Sequence, residues 1–290
     1  MLDLTRLRVL VAVARHGSVT AAAQALHYAQ PSVSHHLARL EAETGSRLVQ
    51  RAGRGIRLTD AGRLLADRAA EILGRLDAAE AELAEHTGLR GGRVRLAAFP
   101  SALGTFVPVA AATFAAAYPG VDLRFREAEP PETVKLLRGG EVDVALLFTY
   151  PGDPAPDLAG LRHETLLDEP MHLITTTGGA LADHRDGPWI GGCERCRGEL
   201  LRRCAEAGFS PDIRFETDDY VAVQRLVAAG LGAALLPALA LRAHHDERVR
   251  TVELPGPGRR ISAAVHGEPP DPPATAALLA ELRRAARTAR

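Results

Sequence analysis

Ser18-Val19-Thr20-Ala21-Ala22-Ala23-Gln24-Ala25-Leu26, followed after four residues by Pro31-Ser32-Val33-Ser34-His35-His36-Leu37-Ala38-Arg39-Leu40, decides how this chain folds. Ser18 is an N-cap residue ahead of a short run carrying Ala22, Ala23 and Leu26. Pro31 suits the first turn of a new helix, where its missing N–H costs nothing. Val33, Leu37 and Leu40 share one face of that helix, and Gly45 stands where a helix C-terminus needs a left-handed residue. Ser32, His35 and Arg39 point the other way, with Ser34 on the flank. Upstream, Leu4, Leu7, Val11 and Ala14 follow 3, 4, 3 spacing, an amphipathic helix that Gly17 ends. Two short helices, a tight turn and a polar, partly basic outer face on the second make a helix-turn-helix.

Working outward, Arg47–Gln50 and Ile56–Leu58 read as two short strands around Arg51-Ala52-Gly53-Arg54-Gly55, a hairpin with arginines at its tip. Such a wing reaches phosphate or a narrow minor groove. Residues 1–60 carry eight arginines against four acids, although the whole chain has a net charge of −1. Charge, turn and wing agree on DNA binding rather than a generic three-helix bundle with a solvated hairpin. The candidate DNA contacts are Ser18, Thr20, Gln30, Pro31, Ser32, Ser34, His35, Arg39, Arg51 and Arg54.

Thr59 caps a long helix that ends near Thr87-Gly88. Leu65, Ala69, Ile72, Leu76, Ala79 and Leu83 are spaced 4, 3, 4, 3, 4, the seam of a coiled coil. Acids at Glu71, Asp77, Glu80, Glu82 and Glu85 cover the rest, so the seam is read as a homodimer contact rather than as packing on the same chain. Gly91-Gly92 forms a joint.

Beyond it, strand-like runs (Val94–Ala98, Val121–Arg126, Asp143–Phe148, Met171–Thr175, Ile213–Glu216, Ala233–Leu236, Ile261–Val265) alternate with helix-like runs (Phe106–Tyr118, Glu132–Gly139, Arg195–Ala207, Tyr220–Ala229, Thr275–Arg287). That alternation predicts an α/β domain with mostly parallel sheet.

The N-terminal stretch, with Gln30-Pro31-Ser32-Val33-Ser34, Leu40-Glu41, Gly45, Leu48, Arg51 and Leu58-Thr59-Asp60-Ala61-Gly62, resembles the signature of LysR-type transcriptional regulators. It departs from the family pattern at Ala29, at Val49 and at His35-His36, the last bearing on base preference. Tyr118-Pro119-Gly120-Val121, Gly140-Glu141-Val142-Asp143-Val144-Ala145, and Val227-Ala228-Ala229-Gly230-Leu231-Gly232 with Leu236-Pro237 resemble the family's effector domain, itself similar to periplasmic binding proteins. The resemblance implies a winged helix-turn-helix at 1–58, a linker helix at 59–90 and an effector domain at 91–290. Within the last it implies subdomain I at 92–162 plus 263–290 and subdomain II at 163–262. It also implies a tetramer built from two dimers, double-stranded DNA with an interrupted palindromic operator, and a small-molecule effector.

Ligands of open α/β sheets bind beyond the carboxyl ends of the strands. Those ends nominate Pro100, Ser101 and Ala102; Glu127, Ala128 and Glu129; Phe148, Thr149 and Tyr150; and Thr217, Asp218 and Asp219. Four carboxylates among them favour a neutral or amine-bearing effector over a simple anion, unless arginines from outside these loops intrude.

Cys193, Cys196 and Cys204 lie within twelve residues, an odd set that does not fit a secreted disulfide framework. Arg195 and Arg197 beside a helix N-terminus would lower thiol pKa values. Small half-buried residues are the preferred reading, a redox switch the second. Zinc is third, because one C-x-x-C lacks a second ligand pair. No metal and no cofactor is expected.

No apolar run reaches the 18 residues of a membrane span, and the apolar stretch Val9–Ala14 is too short for a leader, so a cytoplasmic location is expected. Gly-x-Ser-x-Gly, Walker A and H-E-x-x-H motifs are missing, so no enzyme is expected. Two alternatives stay open: a thiol-based redox regulator using the three cysteines, and a ligand-binding module or enzyme whose N-terminal domain only dimerises.

Overall fold

The computed structural model describes residues 2–52, 55–86, 92–153, 158–267 and 269–289. They fall into two compact units, one of residues 1–90 with 135–142, the other of 91–134 with 143–290.

In the first unit, α1 (Leu4–His16) starts at Asp3, whose carboxylate accepts from the Arg6 N–H, and stops at Gly17 with φ 61°. Helix α2 (Val19–Ala25) starts at Ser18, whose hydroxyl accepts from the Ala21 N–H. His27 turns the chain with φ 56°, and α3 (Gln30–Thr44) follows with Pro31 in its first turn and Gly45 at φ 64° beyond its end. Leu7, Leu10, Val13, Ala22, Val33, Leu37 and Leu40 form the shared core. The wing is the antiparallel pair β1 (Val49–Ala52) and β2 (Gly55–Leu58). Glu41 on α3 accepts from both the Leu48 and Val49 N–H groups, at 2.7 and 3.2 Å, fixing the wing's base to that helix.

Helix α4 (Asp60–His86) begins where the Thr59 hydroxyl accepts from Gly62 N–H. A Cβ at Gly62 would lie 1.9 Å from the Leu48 carbonyl oxygen, so only glycine fits. The predicted seam is partly overturned. Ala69 is buried in the unit's own core beside Ala66 and Leu73, with Leu65 packed against it. The early turns of α4 lie against α1, which claims that face. Ile72 and Leu64 remain exposed, Leu76 is half-buried and Ala79 exposed.

After α4 the chain runs β3 (Arg93–Ala98), α5 (Pro100–Leu103), α6 (Phe106–Ala117), β4 (Asp122–Glu127), α7 (Glu132–Arg138, whose residues 135–138 count with the first unit), β5 (Val144–Thr149), β6 (Leu161–Glu169), β7 (Met171–Thr175), β8 (Pro188–Gly191), α8 (Glu194–Glu206), β9 (Asp212–Glu216), α9 (Tyr220–Ala228), β10 (Ala233–Pro237), α10 (Ala238–Ala243), β11 (Arg250–Glu253), β12 (Arg259–His266) and α11 (Pro273–Thr288), the rest forming the second unit. One five-stranded sheet has the order β4-β3-β5-β12-β6, the other β11-β7-β10-β8-β9. Phe99, Phe106, Phe114, Phe148, Trp189 and Leu278 are fully buried in the extensive core of this unit.

Two expectations are corrected. The sheets are mixed rather than mostly parallel: β12 runs antiparallel to β5 and β6, and β7 antiparallel to β10 and β11. The subdomain crossings also move. All of β6 and β12 belongs to the first sheet, so the chain crosses at Pro170 and returns through residues 254–258. A strand has no reason to break where it is still paired, and β6 stays paired with β12 through Glu169. At the crossing a Cβ on Gly258 would stand 2.0 Å from the Glu169 carbonyl oxygen, so the two connecting segments meet backbone to backbone. From α8, Arg203 donates to the carbonyls of Pro255 and Pro257 at 3.1 and 2.9 Å.

Candidate functional site

Between the two sheets lies a narrow cleft of about 50 Å³, partly open to solvent, smaller than the roughly 300–1,000 Å³ of drug-sized ligand sites. Its walls come from the ends of β5 and β8, the loop after β4, and the first turns of α5, α8 and α9. Six nominated residues line it: Pro100, Ser101, Glu129, Tyr150, Thr217 and Asp218. The other six do not. Ala102 and Phe148 are buried in the core. Glu127 ends β4 facing solvent, and Ala128 is held by its N–H bond to the Ala98 carbonyl. Thr149 pairs with Arg260 in the ladder, and Asp219 caps α9 by accepting from Val221 and Ala222 N–H. Strand-end reasoning finds the right loops but not which residue of each turns inward.

Sequence reasoning missed Arg259, which intrudes from β12. Its guanidinium is buried, donates to Glu169 Oε1 at 2.7 Å and to Ser101 Oγ at 2.7 Å, and lies over the rings of Phe99 and Phe148 at 4.7 and 4.6 Å. Burial works against its charge, but Glu169 and the neighbouring groups more than offset it and hold its pKa up. Glu169 also accepts from Leu239 N–H at 2.8 Å, tying both subdomains to this pair. Glu129 is largely buried, and burial, opposed by Arg259, lifts its carboxyl above the usual range. Its Oε2 has no hydrogen-bond partner.

The cysteines divide. Cys204 is buried in the core, where burial raises its thiol to about 11. Cys193 is the N-cap of α8, and it and Cys196 both line the cleft with their sulfurs 2.7 Å apart. The arginines expected to activate them are engaged elsewhere: Arg195 pairs with Asp153 at 2.6 Å and Arg197 with Glu216 at 3.3 Å. The donors at Cys196 are instead Cys193 and the Tyr150 hydroxyl, the latter at 3.5 Å. Among the described residues no cluster of three His, Cys, Asp or Glu side chains could hold a metal ion, and no helix is long and apolar enough to cross a membrane.

In the first unit, Gln30, Pro31, Ser32, Ser34, His35 and Arg39 are all exposed on α3, and Thr20 is exposed on α2. Gln30 Nε2 donates to Ser34 Oγ at 3.1 Å, so these two side chains present one polar edge. Ser18 is half-buried and occupied as the α2 cap. Of the wing arginines, Arg51 pairs through its backbone with Ile56, and Arg54 lies outside the described residues.

A winged helix-turn-helix joined by a long helix to a two-sheet ligand-binding module defines a transcription regulator. Residues 4–63 match the bacterial regulatory helix-turn-helix protein family of lysR type, and residues 87–287 match the LysR substrate binding domain. The chain belongs to the LysR family. It is 31% identical over 294 residues to the probable HTH-type transcriptional regulator LrrA of Synechococcus elongatus, covering 98% of each chain. It is 31% identical over 253 residues to the HTH-type transcriptional regulator YofA of Bacillus subtilis, covering 86% of each. The fold is similar to CbnR, a LysR family transcriptional regulator, with TM-score 0.66, 24% identity and coverage of 98% and 99%. These relatives are regulators, which overturns the enzyme alternative.

Proposed function

We propose that this LysR-type regulator is a cytoplasmic bacterial protein that reads an interrupted palindromic operator as a homodimer joined through α4, assembled further into a tetramer. A small molecule seated in the cleft sets how the reading arms are held. Gln30, Pro31, Ser32, Ser34, His35 and Arg39 meet the major groove, Thr20 and the Ser18 region flank it, and Arg51 and Arg54 reach the backbone or minor groove. The exposed polar face of α3 supports this reading.

The effector half rests on one observation: Glu129 Oε2 is buried and unpartnered at the wall of the cleft. A buried acceptor without a donor is costly, and a ligand N–H or O–H there removes that cost. Arg259 is already matched by Glu169 and Ser101, so its intrusion does not make the cleft an anion site. The effector is neutral or amine-bearing, held by Glu129, Ser101, Thr217 and Asp218.

Genome-wide DNA occupancy gives the operator and the regulated genes, and the substrates and products of those genes supply the compounds for titration. Wild type is expected to bind one of them with a shift in operator affinity, and Glu129→Ala to lose that binding while keeping the operator. An effector whose affinity is unchanged in Glu129→Ala overturns the assignment. A second mode, thiol-based, is favoured by the contact between the Cys193 and Cys196 sulfurs.

A further inference from the structure

The sulfurs of Cys193 and Cys196 meet at the head of α8. Gly192 lies close over them: a Cβ there would stand 3.0 Å from the Cys196 Cβ, a tight contact that the bare glycine avoids. Cys193 then caps the helix, its sulfur accepting from the Cys196 N–H at 3.4 Å. The sulfurs, 2.7 Å apart, are already near the about 2.05 Å of an S–S bond.

The two sulfurs differ in their surroundings. Cys196 receives the Cys193 S–H and the Tyr150 O–H, and lies near the Arg259 charge. All three favour a thiolate, and despite burial its pKa is lowered, the Cys193 hydrogen bond being the largest cause. Cys193 faces the Glu129 carboxyl as well as the Cys196 sulfur, and its pKa is raised, first by its bond to Cys196 and then by burial. Cys204 sits two turns along α8, in the core.

We propose that Cys193 and Cys196 form a dithiol site in the cleft for hydroperoxide-class oxidants, with Cys196 as the attacking sulfur and Cys193 as the resolving one. The Cys196 thiolate attacks one peroxide oxygen and the O–O bond breaks. The departing hydroxide takes up a proton and leaves as water, and Cys196 carries S–OH. Cys193 then attacks the Cys196 sulfur, its proton passing through Glu129 to the leaving hydroxide. The S–O bond breaks, the S–S bond forms and a second water departs. Two thiols and one hydrogen peroxide give one disulfide and two waters. Both residues are half-buried and line a cleft that is partly open to solvent, which gives so small an oxidant a way in.

The site shares walls with the effector cleft, and its bearing on regulation rests on that reading. The chemistry itself is tested without effector or operator, so the two fail separately. Full-length protein is treated with one equivalent of hydrogen peroxide, denatured, titrated for thiols and peptide-mapped. Two of the three free thiols are expected to disappear, with one disulfide mapping to Cys193–Cys196. Cys204→Ser should form the same bond. Cys193→Ser should stop at a Cys196 sulfenic acid that dimedone traps, and Cys196→Ser should keep Cys193 reduced. Mapping of the wild type needs no variant to fold. A disulfide that includes Cys204, or three thiols surviving a dose that oxidises free cysteine, overturns the proposal.

Discussion

Arg259 and Glu169 sit directly opposite one another on β12 and β6, 2.6 Å apart, with both side chains 3% exposed. One residue along, Arg260 and Asp168 form the same cross-strand pair in water, with side chains 61% and 63% exposed. The ladder therefore carries a buried ion pair and its own solvent control.

Removing one partner of the buried pair leaves a charge without compensation, which costs about 3–5 kcal/mol, whereas an exposed pair contributes about 0–1 kcal/mol. Glu169→Ala is expected to lower unfolding stability by the larger amount and Asp168→Ala by the smaller. Replacing the buried pair together, Glu169→Leu with Arg259→Met, should cost less than Glu169→Ala alone. Urea unfolding of the three variants checks this, and equal losses for Glu169→Ala and Asp168→Ala would contradict it.

Glu129 gives a pH dependence of known sign. Burial raises its carboxyl pKa in the folded state. The native state thus binds the proton more tightly than the unfolded one, and that stability is present at acid pH and lost as pH rises through the folded pKa. Glu129→Gln, which cannot ionise, is expected to be more stable than wild type at neutral pH. Its advantage should shrink as pH falls through the carboxylate range. Thermal unfolding from acid to neutral pH measures the crossing, and an advantage that stays constant with pH would refute the assignment.

His35 is exposed on α3 and resolves no structural duty in the core. Base-edge contacts contribute about 1–3 kcal/mol of discrimination each. His35→Ala is expected to change the preferred operator in selection from random DNA. Arg51→Ala and Arg54→Ala should instead weaken all sites together and flatten the salt dependence. An unaltered sequence profile for His35→Ala would remove it from the reading face.

Ile72 is 44% exposed on α4 while its neighbours on the helix, Ala69 and Leu73, are buried. If α4 joins two copies, Ile72→Asp places a charge in that contact. The variant is expected to dissociate in sedimentation at micromolar concentration and to lose operator affinity with it. A variant that stays dimeric would move the contact off this helix.

The helix-turn-helix was legible because its boundaries have local chemical signals: Ser18 as a cap, Pro31 in a first turn, Gly17 and Gly45 beyond helix ends. The half of the cleft formed by strand-end loops was legible for the same reason, through topology. Arg259 was not. It and Arg260 are identical neighbours, and only the pleat of β12 sends one inward and the other out. Nothing in Arg259-Arg260 or Asp168-Glu169 marks the buried member. The heptad spacing misplaced Ala69 and Leu65, because tertiary packing on α1 took a face that spacing alone leaves open.

Helix α8 has an end in each part of the effector unit's working machinery. Its first turn presents Cys193 and Cys196 to the cleft, and its third turn, through Arg203, grips the strap at Pro255 and Pro257 that leads into Gly258. A thirteen-residue helix is stiff over this length. The cleft wall and the strap are therefore built on one rigid element, with no loop between them. Because Gly258 and Glu169 touch backbone to backbone, any side chain at position 258 would force the strap, and the Arg203 anchor with it, out of place.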